Sequence, residues 1–559
     1  MMSKLIILII SLPLFSALLT HLLTGQLGRC VARISVAATV LTVFSTAILL
    51  WLSLSGSLVG DSIATSHWTV LFYDPLSILM ALVISIISLI VHIYSLRYMA
   101  EEAGYGRFFV LLDLMTASLI LMVAAGDLIT LLISWHLVGV LLYFLLGQDT
   151  RNHSAYRYAF WTFITYRIGD LPLVLAAVLL FQAFGTWSLP DIFEQISQNP
   201  AAHEVFGLAL PEVIGILIAL AAFARSAQFL LHTWLPYTME GPTPVSALMH
   251  AGIVNAGGFL INRFTPVFAH TSDVLQWVFI VGFISAIIGS VLMLAQNDIK
   301  KSLGYSTMGQ MGFMIMECGI GAFSLAIYHL IVHGVFKGTL FLSAGSIINS
   351  ARKSDGVPKD DLYKFVVEKQ PASTPKSWLL MALITLLVPV TILIISHLFI
   401  SADYFQKQGA IILLFFGWVT GAQLIFATYR TYAQNLWRLI FISVVSFTVV
   451  IIGYIFISHA FDLYLYPDAA LREQLYAAAS IEKIRFDIIA AITTVIIVAS
   501  WIFAYYAERS GKHIRYKGRT WITFYALISR EFYMTDLYTR LSRTILSTSN
   551  KLNVWLRWN

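Results

Sequence analysis

The chain has 559 residues, 58% of them hydrophobic and only 11% charged, with a mean hydropathy of +0.81. Soluble proteins carry about 25% charged residues, so a water-soluble enzyme is excluded and the composition is that of a polytopic membrane protein. The net charge of +6 does not point to nucleic acid, because the basic residues sit in short loops between apolar runs, where membrane topology accounts for them.

A membrane-spanning helix needs about 20 mainly apolar residues. About fifteen segments meet that rule: 4–23, 31–56, 72–96, 108–125, 127–147, 158–184, 208–237, 243–264, 274–295, 304–321, 323–347, 378–400, 409–428, 437–460 and 486–507. The first is preceded by one lysine and followed by no small-residue cleavage signature, so it is expected to be a retained span. The stretch 521–549 is more polar. It reads as an amphipathic or peripheral helix, with Phe524, Leu527, Phe532, Leu537 and Leu541 set against Arg530, Arg540 and Arg543. Loops after odd-numbered spans hold twenty-one basic residues against six on the other side. The N-terminus is therefore expected outside and the C-terminus in the cytoplasm. Arg509–Arg519, the tail and the 350–376 loop are the expected contacts for a peripheral subunit.

Two segments are not ordinary spans. ARSAQFLLHTWLPYTMEGPTP, at 224–244, puts polar residues at membrane depth, and ISADYFQKQG follows Pro389 in the twelfth segment. Broken helices at matching positions in two halves point to inverted repeats with an ion path at the break. The expected fold is all-α and polytopic. N-terminal transmembrane helices occupy 1–107, five-helix repeats 108–264 and 274–428, C-terminal helices 437–507, and a cytoplasmic amphipathic tail 508–559.

An ionisable group in a span costs about 2.5–3.5 kcal/mol by insertion scales unless it is paired or hydrated, so each is a functional candidate. Arg167, Arg225 and Lys337 fall near no loop; Asp127, Asp170, Glu317, His136, His250, His329 and His333 are expected at similar depth. His329, His333 and Lys337 follow an i, i+4, i+8 spacing that places them on one helical face. Histidine exchanges protons near neutrality, so such a stripe suits a proton wire; the alternative is a packing helix whose histidines bond carbonyls. Arg167 and Asp170, i and i+3 in FITYRIGD, can pair on their own helix, either as a structural ion pair or as a switch in which Asp170 moves between cations. Arg225 lies seven residues before His232, so both can face one way. Cys30 and Cys318 stand far apart without a Cys/His cluster, so no disulfide or zinc site is expected. The GxG-type sequences lie inside spans with no preceding strand, so no nucleotide site or cofactor is expected either.

DIKKSLGYSTMGQMGFM, then IYHLIVHGVFKGTLFLSAGS, resembles the antiporter-like membrane subunits of respiratory complex I and of Mrp-type cation/proton antiporters. HTWLPYTMEGPTPVSALMHAG, FITYRIGD and RFFVLLDLMTASLILMVAAGDLITLLISWHLVGVLLYFLLG belong to the same pattern. The resemblance covers about 72–350 and implies inverted repeats with proton transfer along a polar mid-membrane axis. His250, His329, His333, Lys337, Arg167 and Asp170 match the family pattern. Three positions depart from it. The family glutamate of WE-x-x-G is His136 in WHLVG, and the lysine of GKSAQ is Arg225 in ARSAQ. The second broken helix keeps Asp403 in FISAD but has Ala402 where lysine is expected. Arginine does not release its proton readily, so a Glu–Lys coupling cycle is not expected here.

With these departures the chain is most similar to the membrane subunit of DAB-type inorganic-carbon accumulation complexes. That resemblance implies a peripheral, cytoplasmic, zinc-dependent carbonic-anhydrase-like partner, with ion entry driving CO₂ hydration to bicarbonate. Protons are expected in preference to Na⁺, since histidine and lysine are poor Na⁺ ligands. Two rival readings are a proton-pumping subunit of a complex I-like or Mrp assembly, which the departures disfavour, and a non-conducting scaffold, which the His329/His333/Lys337 stripe disfavours.

Overall fold

Backbone amides inside a bilayer have no water to bond, so an apolar chain crosses it as helices. A computed structural model describes residues 2–56, 61–65, 68–149, 151–296, 298–353, 445, 456–457, 459–479 and 519–556. Asp403, the second broken helix and the basic stretch 509–518 lie outside the described residues, as do the twelfth to fifteenth expected spans almost entirely. Helices α1 (Met2–Leu27), α2 (Ala32–Leu54), α3 (Pro75–Tyr98), α4 (Tyr105–Val123), α5 (Leu128–Leu146) and α6 (His153–Phe184) follow the first six expected spans. A short α7 (Leu189–Gln198) precedes α8 (Leu210–Arg225). The eighth expected span is divided into α9 (Thr243–Ala251), a 3-10 turn and α10 (Ala256–Arg263). After a single turn, α11 (Thr265–Phe268), come α12 (Ser272–Leu294), α13 (Ile299–Gly319) and α14 (Phe323–Lys353). The described residues hold eight stretches long and apolar enough to cross a membrane. The 16-residue α8 is too short to be among them.

Local chemistry sets the boundaries. Pro75 opens α3 behind Asp74, whose carboxylate accepts the Ser77 amide while Ser77 Oγ accepts the Asp74 amide, a reciprocal capping box. Asp127 caps α5 by accepting the Thr130 amide at 2.7 Å and its hydroxyl at 2.6 Å. Asp127 was expected at mid-membrane depth with the other ionisable groups; it is a helix-end residue instead. Two features were absent from the sequence reading: the antiparallel hairpin β1 (Asp61–Thr65)–β2 (Trp68–Tyr73) and the two-residue pair β3 (Glu204–Val205)–β4 (Leu208–Ala209). The first hairpin covers the α4–α5 turn, donating Phe72 N–H to the Ala124 carbonyl and accepting Gly126 N–H at the Val70 carbonyl.

Glycine fixes how closely α12 and α13 pack. A Cβ on Gly312 would stand 2.4 Å from the Ala286 amide nitrogen, and one on Gly282 2.5 Å from that of Met316. Backbone-to-backbone approach of this kind is what small residues provide where lipid supplies no hydrophobic drive between helices. At one end of the bundle Arg263 makes a two-pronged pair with Asp74, at 2.8 and 3.2 Å, and also donates to the Val123 carbonyl.

Later in the chain lie α15 (Ala469–Ala478), α16 (Arg519–Ser529) and α17 (Met534–Leu556). Helix α17 leaves Leu537, Leu541, Ile545 and Leu552 exposed along one stripe. The α16–α17 junction is a left-handed turn in which Glu531, Phe532 and Tyr533 all have φ near +55° (56, 54 and 57°). It seats Glu531, 5% exposed, against the chain's own first broken helix. The Glu531 carboxylate accepts hydrogen bonds from Tyr237 Oη at 2.7 Å and Thr535 Oγ1 at 2.6 Å, and lies 3.8 Å from Lys301 Nζ.

Candidate functional site

The break after α8 is the feature from which the site is built. The helix stops at Arg225 because Ala227 turns left-handed, with φ 50°. The freed backbone groups find partners inside the protein, as non-helical chain at membrane depth must. Trp234 Nε1 donates to the Ala224 carbonyl, the Gln228 amide to Phe223, and Tyr538 Oη of the tail to Leu230 at 2.6 Å. The helix therefore does not carry Arg225 and His232 on one face, contrary to the seven-residue expectation.

Arg225 is fully enclosed. Its guanidinium lies between the rings of Trp135 and Tyr166, 4.2 and 4.1 Å from their centroids, and Nη2 donates to the Trp135 carbonyl at 2.6 Å. Beside it, His136, Arg167 and Asp170 close into a ring. Arg167 Nη1 donates to His136 Nε2 at 2.9 Å, and Arg167 Nη2 lies 2.8 Å from Asp170 Oδ2. His136 Nδ1 meets the same carboxylate oxygen at 3.2 Å. An imidazole that accepts at Nε2 and donates at Nδ1 is the neutral tautomer. Gly139, one turn after His136, makes the room: a Cβ there would be 2.7 Å from Arg167 Nη2 and 3.6 Å from Arg225 Nη1. The His136 side chain is 54% exposed on the chain's outer surface, among exposed Ile133, Leu137, Ile168 and Leu171.

A second cluster forms where α9, α13 and α14 meet. Lys337, 1% exposed, donates to Ser306 Oγ at 2.7 Å. His250 bonds Thr307 Oγ1 at 3.0 Å and stacks on Phe341 at 4.3 Å. His333 is buried, its ring centroid 6.3 Å from that of His329, and His329, Lys337 and His250 all act on it electrostatically. His329 Nδ1 lies 3.1 Å from both oxygens of Glu317, and its Nε2 is 3.0 Å from Gln310 Oε1. With an acceptor at each nitrogen, this is the hydrogen-bonding pattern of an imidazolium. The stripe read from α14 is thus joined across to α13, and its acidic end is Glu317.

His232 belongs to neither network. It is buried beside α13, stacked on Phe229 at 5.8 Å and tilted against Tyr305 at 6.3 Å. Among the described residues neither of its ring nitrogens has a hydrogen-bond partner; the same is true of both nitrogens of His333 and of His250 Nε2. The structure thus brings His136, Arg167, Asp170 and Arg225 together, and separately His250, His329, His333 and Lys337. No group of three or more metal-ligating side chains occurs among the described residues.

Comparison with known proteins shows the family to which the chain belongs. The family described as NADH:quinone oxidoreductase/Mrp antiporter, TM, matches residues 125–422, and the complex I chain 5 N-terminus family matches 65–109. A protein of Halothiobacillus neapolitanus named probable inorganic carbon transporter subunit DabB1 is 57% identical over 550 residues, 98% of each chain. NADH-quinone oxidoreductase subunit L of Rickettsia typhi is 35% identical over 63% of this chain and 55% of its own length. Among solved structures, a chain of the Mrp complex from Dietzia sp. shares the fold, with a TM-score of 0.61 at 21% identity, over 99% of this chain and 60% of that one. The chain belongs to the antiporter-like membrane subunit family of complex I and Mrp antiporters, as a member of its inorganic-carbon transporter DabB branch.

Proposed function

We propose that this chain is the proton-conducting membrane subunit of an inorganic-carbon uptake complex of the bacterial inner membrane. The observation that carries the proposal is the α13–α14 cluster. Lys337, His333, His250 and the His329–Glu317 pair lie together inside the bundle, and among the described residues both nitrogens of His333 and Nε2 of His250 have no hydrogen-bond partner. Ionisable side chains inside a membrane bundle are costly and mark ion or proton paths, which is the reading a cluster of them supports. A chain of exchangeable sites serves proton movement. The N-terminus faces outside and the C-terminus the cytoplasm. There the subunit works with a peripheral, DabA-type, zinc-dependent carbonic-anhydrase-like partner, so that ion entry drives CO₂ to bicarbonate. The name of the Halothiobacillus relative supports the carbon-uptake reading.

The first cluster has a different task. Arg225, clamped by two rings, is a fixed positive charge; Asp170 and His136 are the groups beside it able to change partner. Proton flux through the complex in proteoliposomes tests the reading. Lys337→Ala is expected to assemble normally and to abolish flux; normal flux through well-assembled Lys337→Ala complex overturns it.

A further inference from the structure

A second buried ionisable pair lies in the N-terminal bundle, away from both clusters. His92 of α3 and Asp113 of α4 are each 0% exposed, and His92 Nε2 is 3.1 Å from Asp113 Oδ1. Asp113 Oδ2 also accepts hydroxyl hydrogen bonds from Ser16 of α1 at 2.8 Å and Ser35 of α2 at 2.6 Å. On its other side, His92 Nδ1 lies 2.8 Å from the Ser88 carbonyl oxygen and 3.2 Å from Ser88 Oγ. The imidazole thus faces a carboxylate at one nitrogen and the Ser88 carbonyl and hydroxyl oxygens at the other.

Hydroxyls continue from both ends of the pair. Ser88 Oγ is 2.5 Å from Thr116 Oγ1, and Ser35 Oγ is 3.2 Å from Thr20 Oγ1. All are buried. Among the described residues of α1–α4, the groups recorded against the pair are these hydroxyls and the Phe109 ring, 6.0 Å from His92. Tyr105, which packs on Phe109, is tied to the Leu96 carbonyl. Met80, Ile84, Ile87 and Leu119 line one small cavity together with Ala251 and Leu330.

We propose that His92 and Asp113 form a second proton-holding site, served by the serine and threonine hydroxyls on either side. Hydroxyls alone are common interhelical glue in membranes, but glue does not require a fully buried carboxylate and imidazole. The step moves one proton within the pair. The N–H bond at His92 Nε2 breaks as an O–H bond forms at Asp113 Oδ1, 3.1 Å away, and the reverse step restores it. The pair passes between its charged and neutral forms with no net change of charge, and no electron is transferred.

The inference rests on the proton-conducting reading, and its test separates the two. Asp113→Asn keeps a carbonyl acceptor for Ser16 and Ser35 but cannot hold the charge. In the full complex in proteoliposomes it is expected to assemble and to lose proton flux by about a hundredfold or more, the lower end of the range for a lost proton-transfer group. Wild-type flux through assembled Asp113→Asn complex, with Lys337→Ala inactive, overturns this site and leaves the reading of the α14 cluster standing. Normal flux in Lys337→Ala overturns the underlying reading instead. Infrared difference spectra of the wild-type complex across its working pH range give a second readout that does not depend on the Asp113 variant folding. An imidazole band absent from His92→Gln is expected to titrate, and a band that stays constant overturns the proposal.

Discussion

Arg225 stacks between Trp135 and Tyr166 and donates to the Trp135 carbonyl, an environment that suits a flat, permanently charged guanidinium and not a titrating ammonium. His136, neutral between Arg167 and Asp170, completes a cluster whose net charge differs from that of a Glu–Lys pair at the same two positions. Restoring the usual pair with His136→Glu and Arg225→Lys sets a carboxylate and an ammonium at neighbouring positions, where they can lock as an ion pair. The double variant is expected to assemble but to lose growth at low CO₂, and each single change to be harmful. Wild-type growth of the double variant at air levels of CO₂ would show the two departures to be neutral. The residue types of this cluster were legible from the rule that charge in a span needs a reason. Gly139 was not, because its role lies in the space left for two side chains from other helices.

Among the elements, most of the expected spans up to residue 353 followed from apolar length, since each must cross about the same thickness of hydrocarbon, whereas α8 and α13 are not among the stretches long and apolar enough to do so. Where a helix ends inside the bundle did not follow from it. The stop at Arg225 depends on Trp234 and on the tail's Tyr538 reaching freed carbonyls, contacts made across ten and 308 residues. Asp127 was misplaced for a related reason, because a carboxylate that caps a helix and one at mid-membrane look alike in an apolar run. The tail, expected to meet a partner, also grips its own chain. Glu531→Ala would leave Tyr237 and Thr535 without their acceptor and Lys301 without its counter-charge, at about 1–3 kcal/mol for a buried unmade bond. Hydrogen exchange should then quicken at the start of α17 and through residues 226–242. Unchanged exchange in both segments would mean that the carboxylate does not hold them together.

Across the whole molecule, the α14 stripe was read from spacing. Its connection through Glu317 and Gln310 of α13 was not, because partners on separate helices share no periodicity. His92 and Asp113 escaped the sequence reading although the same rule of charge within spans applies to both. Their partnership joins α3 to α4 and is evident only once Ser16 and Ser35 converge on it. The central claim is that proton movement through this chain drives inorganic-carbon uptake, and the most direct test is bicarbonate accumulation in vesicles carrying the intact complex under an imposed proton gradient. Accumulation is expected to follow the gradient, to collapse with a protonophore and to be absent with Lys337→Ala. Accumulation that persists after the proton gradient is collapsed, or that follows a Na⁺ gradient alone, would contradict the account.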